Sequence, residues 1–178
     1  MELLDRPEQK GEVEQMRKWV LGLSVIATVV LVGTALATPI IGTIVADTAR
    51  GTLTEELNWN RKFDSGSVKL KTKGDIEIVT QRLEVAPQSS FGWHTHPGDT
   101  IVVVKQGTLT LYHDDTCTVG TDYGPGTAFP NRLEEVHLAR NNSATETLVI
   151  FATYFFPKTS PPVAVRIDEP SPGPNCPQ

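Results

Sequence analysis

The sequence has little basic charge and no run of more than two adjacent lysine or arginine residues in its 178 positions. Its net charge is −5, with charged residues making up 21% of the chain. Proteins that bind nucleic acid present a basic face to the phosphates, so a nucleic-acid partner is not expected. The apolar share of 39% is that of a globular protein rather than a disordered one.

Helical periodicity is also missing after the first 46 residues. Instead, short runs rich in β-branched and aromatic residues, such as residues 101–104 and 147–156, alternate with segments rich in glycine, asparagine and proline. Many short strand-like runs at close spacing are typical of a sandwich or barrel. The sequence therefore predicts an all-β domain.

One long stretch lacks charge altogether. Residues 19–46 contain no charged residue and are rich in valine, leucine, isoleucine and alanine. Roughly 20 apolar residues cross a bilayer core as a helix, so this stretch is long enough for a transmembrane helix. Arg17 and Lys18 precede it, and a basic pair there favours a cytoplasmic tail of residues 1–18 with everything after the span outside.

Two interpretations of this stretch remain open. In the first it is an uncleaved anchor, which gives a single-pass protein of the cell membrane. In the second it is a signal segment that is cleaved near Ala37, within the small-residue box of residues 35–37, which gives a secreted or periplasmic protein. The long tail of mixed charge and the continuing apolar run favour the anchor.

Composition divides the rest of the chain into three parts. Residues 47–67 are polar and are predicted to form a linker. Residues 68–157 carry the strand-like runs and are predicted to form the barrel. Residues 158–178 are rich in proline and are predicted to be an extended tail, with one edge strand within residues 163–167.

Three of the four histidines have spacings that point to metal binding. His94 and His96 are two residues apart, so both imidazoles project from the same face of a strand. His137 lies on a later apolar run that antiparallel pairing can bring opposite them. Three imidazoles suit zinc or iron and leave coordination positions open. The fourth, His113, precedes an acidic turn and is expected to be solvated.

Two motifs around these histidines resemble those of the cupin superfamily. Residues 92–97 (Gly-Trp-His-Thr-His-Pro), followed by Gly107, resemble the first cupin motif. Residues 126–130, followed by residues 137–141 (His-Leu-Ala-Arg-Asn), resemble the second, which ends in histidine, three residues and asparagine. The resemblance covers about residues 75–157.

This resemblance implies a small single-domain cupin of the type-2 kind. Its fold would be one double-stranded β-helix (a jelly-roll barrel) with a metal inside, preceded by the transmembrane or signal helix. Cupins of this kind often form homodimers. The resemblance makes His94, His96 and His137 the metal ligands.

The chain departs from the first cupin motif at one position. Thr100 stands where the family has a metal-binding glutamate, seven residues before the glycine. Its neighbour Asp99 becomes a fourth ligand only if the strand is distorted, because neighbours on a strand face opposite sides. Trp93 is the candidate for a pocket wall. Three neutral imidazoles leave the charge of a divalent ion uncompensated and favour an anionic ligand.

The sequence thus predicts a membrane-tethered cupin outside the cytoplasm that binds a divalent metal and a small-molecule ligand. Iron, zinc and manganese are not distinguished. Two alternatives remain: a metal-dependent oxygenase or hydrolase-like enzyme acting on a small anionic or thiol substrate, and a metal-free ligand-binding barrel. No catalytic base stands out, and a fold does not decide a function.

The two cysteines complete the prediction. Cys117 follows an acidic turn, and Cys176 lies in the proline-rich tail. Disulfides persist outside the cytoplasm, so an exported domain with only these two cysteines is expected to join them and to pin the tail to the barrel. Free thiols are the alternative for a cytoplasmic barrel.

Overall fold

A computed structural model of the chain describes residues 37–178, which form strands and only one short helical turn. The tail of residues 1–18 and most of the predicted membrane or signal segment lie outside the described residues. Within residues 37–178, no helix has the length and apolar character needed to cross a bilayer. The strands in chain order are β1 (Ile44–Leu53), β2 (Asn58–Phe63), β3 (Gly66–Lys71), β4 (Ile76–Val85), β5 (Ser90–Thr95), β6 (Asp99–Gln106), β7 (Leu109–His113), β8 (Thr121–Tyr123), β9 (Ala128–Asn131), β10 (His137–Arg140), β11 (Leu148–Pro157) and β12 (Ile167–Asp168).

Two five-stranded antiparallel sheets form the barrel. The first has the order β1-β4-β11-β6-β9 and the second the order β12-β5-β10-β7-β8. Apolar side chains from both sheets, among them Val79, Phe91, Val102, Leu111 and Ile150, meet in one core cluster. Strands β2 and β3 pair only with each other, as a separate hairpin. The prediction of an all-β barrel is confirmed.

Strict alternation along β6 shows how the sequence builds this barrel. Thr100, Val102 and Val104 are buried, whereas Asp99 and Ile101 are exposed. Successive side chains of a strand point to opposite faces, so one face of β6 enters the core and the other meets solvent.

The barrel begins earlier in the chain than the sequence predicts. Residues 37–46 were assigned to the membrane or signal segment, yet Ile41 pairs with Ser90 and β1 starts at Ile44. Thr38 is 6% exposed, and its amide donates to the Glu169 carbonyl at 2.9 Å. Apolar β-branched residues suit an edge strand as well as a membrane span, so hydropathy alone cannot separate the two.

The predicted linker, residues 47–67, contains most of β1 and all of β2. Strand β1 pairs with β4 over its full length, from Ile44 opposite Val85 to Leu53 opposite Ile76. Its eight central residues are nonetheless exposed. An exposed edge strand that is held mainly by backbone pairing carries no hydrophobic alternation, which is why its sequence resembles a linker.

The proline-rich tail is built into the barrel wall. Strand β12 pairs with β5, and Trp93, Leu138 and Cys176 form a second, smaller core on the outer side of that sheet. The predicted disulfide joins Cys117 to Cys176, with a Cα–Cα distance of 5.2 Å. The disulfide prediction is therefore confirmed. The edge strand expected within residues 163–167 forms instead at Ile167–Asp168, as β12.

Gly92, from the first motif, lets the N-terminal segment cross β5 closely. Its φ is +73°, and an added Cβ would lie 2.6 Å from the carbonyl oxygens of Thr38 and Pro39. We expect Gly92→Ala to lower the free energy of unfolding by at least about 1–2 kcal/mol, because the left-handed conformation alone costs that much. Urea denaturation measures the loss. Gly124→Ala is the matched control, since nothing lies within 4 Å of its added Cβ; equal stabilities of the two variants would contradict the prediction.

Candidate metal centre

Three histidine side chains converge inside the barrel from two paired strands. His94 of β5 lies directly opposite His137 of β10, and His96 follows the end of β5 on the same face. Their exposures are 4%, 5% and 1% for His94, His96 and His137. The ring centroids of His94 and His137 are 4.4 Å apart, and each lies 5.0 Å from that of His96. The register of β5 and β10 therefore brings together the three histidines that were predicted from the sequence to be metal ligands.

Each imidazole is oriented by a backbone carbonyl. His94 Nδ1 lies 2.8 Å from the Gly92 oxygen, and His137 Nδ1 lies 2.8 Å from the Glu135 oxygen. His96 Nδ1 lies 2.6 Å from the oxygen of Val165, in the tail. A carbonyl only accepts, so each Nδ1 donates its hydrogen and each Nε2 carries a lone pair that can accept a hydrogen bond or bind a metal. Such outer contacts fix the tautomer and orientation of metal-binding histidines.

The three imidazoles are held neutral, the form that binds metal. Burial lowers the pKa of His94 well below its usual value, and the neighbouring His137 and His96 add to the effect. Burial also lowers the pKa of His96, and that of His137 to about 3. Burial has already removed water from around these groups, so a positive charge on any of them would be left without hydration and without a counter-charge.

These pKa shifts predict that the metal-free protein loses stability in acid. His137 has a folded-state pKa of about 3, below the usual 6.5, so between these values the unfolded chain binds a proton that the folded chain does not. The free energy of unfolding should therefore fall as the pH drops below 6.5, by about 1.4 kcal/mol per pH unit for each histidine that stays neutral. Denaturation of EDTA-treated protein between pH 7 and pH 4 measures this slope. His137→Gln should reduce it, and an unchanged slope would contradict the assignment.

The site fits a divalent metal ion in donor type and spacing. One nitrogen from each histidine lies within 4.8 Å of the other two, and this cluster is buried. Imidazole nitrogen is a ligand for zinc, iron, copper and nickel, and three such ligands leave open positions. The identity of the ion is not set by these ligands.

A cavity of about 440 Å³ opens onto the three histidines. Most of its lining is apolar, and includes Leu83, Phe91, Val102, Leu111 and Ile150. No aspartate or glutamate is among the lining residues of the described chain. A pocket of this kind suits a small, mostly apolar molecule that is oriented by a few polar groups.

One cationic side chain also reaches the cavity. Arg166, just before β12, lines it, and its Nε lies 2.6 Å from Asp168 Oδ1. Its guanidinium donates to the carbonyl oxygen of Phe91. Burial lowers the pKa of Arg166, although the Asp168 carboxylate opposes that shift. The Tyr154 ring packs edge-on to His96 at 5.1 Å between centroids, and burial raises the pKa of its hydroxyl.

The structure places only one of the three remaining predicted site residues in the cavity. Thr100 is 1% exposed and lines the cavity. Asp99 is exposed, and its Oδ1 accepts a hydrogen bond from the Leu133 amide at 3.0 Å, so it does not reach the histidines. Trp93 faces away from the cavity, into the small core behind β5, and its Nε1 donates to the Pro177 carbonyl at 2.8 Å. Regular alternation along β5 and β6 explains both corrections.

His113 lies beside the site but outside its cavity. It pairs in register with His137 on the neighbouring strand β7, and its Nδ1 lies 3.1 Å from Glu135 Oε1. It is half-buried in this contact rather than simply solvated. The Glu135 side chain thus holds His113, while its carbonyl orients His137.

Sequence reasoning missed Asn131, Val165 and Arg166. Asn131 is 4% exposed, and its Nδ2 lies 3.3 Å from His137 Nε2. A lone asparagine carries no motif, and Val165 acts through a backbone atom that any residue would supply. The short strand-like run of residues 163–167 was the one available signal that the tail returns to the barrel.

No protein-family description matches the chain, and neither does any curated protein. Among solved structures, it is similar to the polyketide cyclase RemF from Streptomyces resistomycificus, at 23% identity and a TM-score of 0.40 over 44% of this chain and 54% of that one. A cupin 2 conserved barrel domain protein from Salinispora arenicola gives 19% identity and a TM-score of 0.39 over 43% and 61%. A cupin domain from Bordetella pertussis gives 22% and 0.39 over 44% and 81%. The chain thus spans about half the length of the cyclase.

Proposed function

We propose that this chain is a cupin that holds a divalent metal ion through His94, His96 and His137 and binds a small ligand at the open positions. One observation carries the proposal: three buried imidazoles converge with every Nδ1 turned to a backbone carbonyl. A histidine cluster with a purely structural role would not require three neutral imidazoles whose Nε2 atoms face one cavity. The bound ion would supply a Lewis acid there.

The ligand that this cavity suits is a small anion with an apolar body. The ion's charge would meet no carboxylate among the lining residues, and the Arg166 guanidinium, although paired with Asp168, presents a further cation to the cavity. A ligand with one carboxylate or thiolate group would offset this charge, while its apolar part would contact the aliphatic and aromatic wall.

We further propose that the domain lies outside the cytoplasm, tethered by the apolar segment near the N-terminus. Arg17 and Lys18 before the charge-free stretch support this orientation. The Cys117–Cys176 disulfide also supports it, because disulfides persist in oxidising compartments. Protease added to intact cells should then degrade the barrel, whereas a protected barrel would contradict the placement.

Elemental analysis of the purified full-length chain tests the metal proposal. We expect about one divalent ion per chain, removable by chelation and restored by added metal. Iron would favour oxygen chemistry, and zinc would favour binding or hydrolysis. A chain that takes up no zinc, iron or manganese after reconstitution would contradict the proposed function.

A further inference from the structure

A second polar side chain lies beside Thr100, the position at which the cupin motif has a metal-binding glutamate. In the pairing of β6 with β9, Asn131 is directly opposite Thr100. Both residues are buried and both line the cavity. Directly opposed residues of paired strands project to the same face, so Asn131 reaches the same part of the cavity as the family's glutamate would.

The side-chain oxygen of Asn131 is left without a partner. Within the described residues, Oδ1 is buried and accepts no hydrogen bond. Leaving a buried acceptor unsatisfied costs about 1–3 kcal/mol, so such an atom calls for an explanation. An amide whose oxygen end has no partner is not locked in one orientation by hydrogen bonds.

A second buried asparagine shows what a structural amide looks like in this barrel. Asn141 is fully buried, and its Nδ2 donates to the carbonyls of Val85, Ala86 and Glu146 at 2.7–3.2 Å. Its Oδ1 accepts from the Ser143 amide at 3.1 Å. Both ends of that amide are used, whereas Asn131 uses only its nitrogen end.

The spacing between Asn131 and His137 matches that of two ligands on one ion. Asn131 Nδ2 lies 3.3 Å from His137 Nε2. A half-turn of the amide exchanges its oxygen and nitrogen, which differ little in size. Two ligand atoms that each lie about 2.1 Å from one ion are about 3.0 Å apart at a 90° angle and about 3.4 Å apart at a tetrahedral angle, so this spacing also fits a five- or six-coordinate ion that keeps open positions. The turned amide would therefore place Asn131 Oδ1 and His137 Nε2 at the separation expected for two ligand atoms of one ion.

We propose that Asn131 is the fourth protein ligand of the metal, binding through Oδ1 in place of the missing carboxylate. This rests on the metal-binding function proposed above. Carboxamide oxygen is a neutral donor, so the set of three imidazoles and one amide carries no charge. The full charge of the ion is then left to the exogenous ligand.

Cobalt(II) added to the metal-free full-length chain tests this ligand, because its visible spectrum responds to the atoms bound to it. Asn131→Leu should weaken cobalt binding at least about tenfold, since even outer contacts to ligands contribute 10–100-fold. It should also shift the visible bands. Asn131→Asp, which nearly preserves the volume, should bind cobalt more tightly than the wild type and shift the bands too. Competition with a chelator gives the affinities.

Gln81→Met is the matched control. Gln81 also lines the cavity, but its amide is engaged at both ends, by the Tyr154 hydroxyl at 3.1 Å and the Thr48 hydroxyl at 3.0 Å. It should leave the cobalt spectrum unchanged. The inference is overturned if Asn131→Leu keeps the wild-type spectrum, even with weaker binding, because Asn131 would then act outside the ligand sphere. It is overturned equally if Asn131→Asp, which should fold in any case, matches the wild type in spectrum and affinity. A wild-type chain that binds no cobalt would instead overturn the metal function itself.

Discussion

Replacing His137 with alanine is expected to remove essentially all bound metal while leaving the barrel folded. His137 is one of three imidazoles that face the cavity, and loss of one direct ligand should weaken binding by more than the roughly 10–100-fold that outer contacts contribute. His94→Ala and His96→Ala should behave alike. Elemental analysis after gel filtration gives the metal content per chain, and a thermal melt reports on the fold.

His113→Ala is the control for this series. His113 lies on the strand next to His137 but contacts Glu135 rather than the cavity, so its loss should leave the metal content unchanged. Full metal occupancy in His137→Ala would contradict the assignment of the ligands. Equal losses in His113→Ala and His137→Ala would point to a general effect of removing histidine.

Removing the disulfide is expected to have the largest effect on stability. Changing both Cys117 and Cys176 to serine opens a loop with a sequence separation of 59. The chain-entropy relation gives about 4 kcal/mol for a loop of this size. Urea denaturation of the double variant under non-reducing conditions measures the loss. The variant should also bind metal more weakly, because the loosened tail carries the Val165 carbonyl that orients His96.

Reduction separates this effect from a simple packing defect. A reducing agent should lower the stability of the wild type to about that of the double serine variant, and it should leave the variant itself unchanged. Equal stability of the wild type and the variant without reductant would contradict the predicted role of the bond. Metal binding that survives in the variant at wild-type strength would mean that the tail does not orient His96.

The sequence was sufficient for the parts of this protein that depend on side-chain type and spacing. The two-residue step from His94 to His96 and the second motif around His137 predicted the convergence of three imidazoles. Short β-rich runs predicted the barrel, and the presence of only two cysteines in a domain expected to be exported predicted their bond. These features leave a signature because particular side chains are required at particular positions.

Other features left no such signature. Strand β1 is held by backbone pairing at an exposed edge, so nothing in residues 47–53 distinguishes it from a linker. The Val165 carbonyl could come from any residue. Trp93 was assigned to a pocket wall because it is next to His94, but neighbours on a strand face opposite sides. The closeness of Asn131 to the histidine site could be recognised only from the pairing of β6 with β9, which sets Asn131 opposite Thr100.

The place of the Val165 carbonyl in the chain has a consequence for biosynthesis. The ribosome releases the chain from its N-terminal end, so β5 with two of the histidines emerges long before residue 165. Until then His96 lacks its orienting carbonyl, and β5 lacks the pairing with β12 that covers its edge. An ion that reaches the nascent chain would therefore meet a His96 side chain that is not yet oriented. Metal uptake is expected after synthesis, from whichever metal pool surrounds the finished domain.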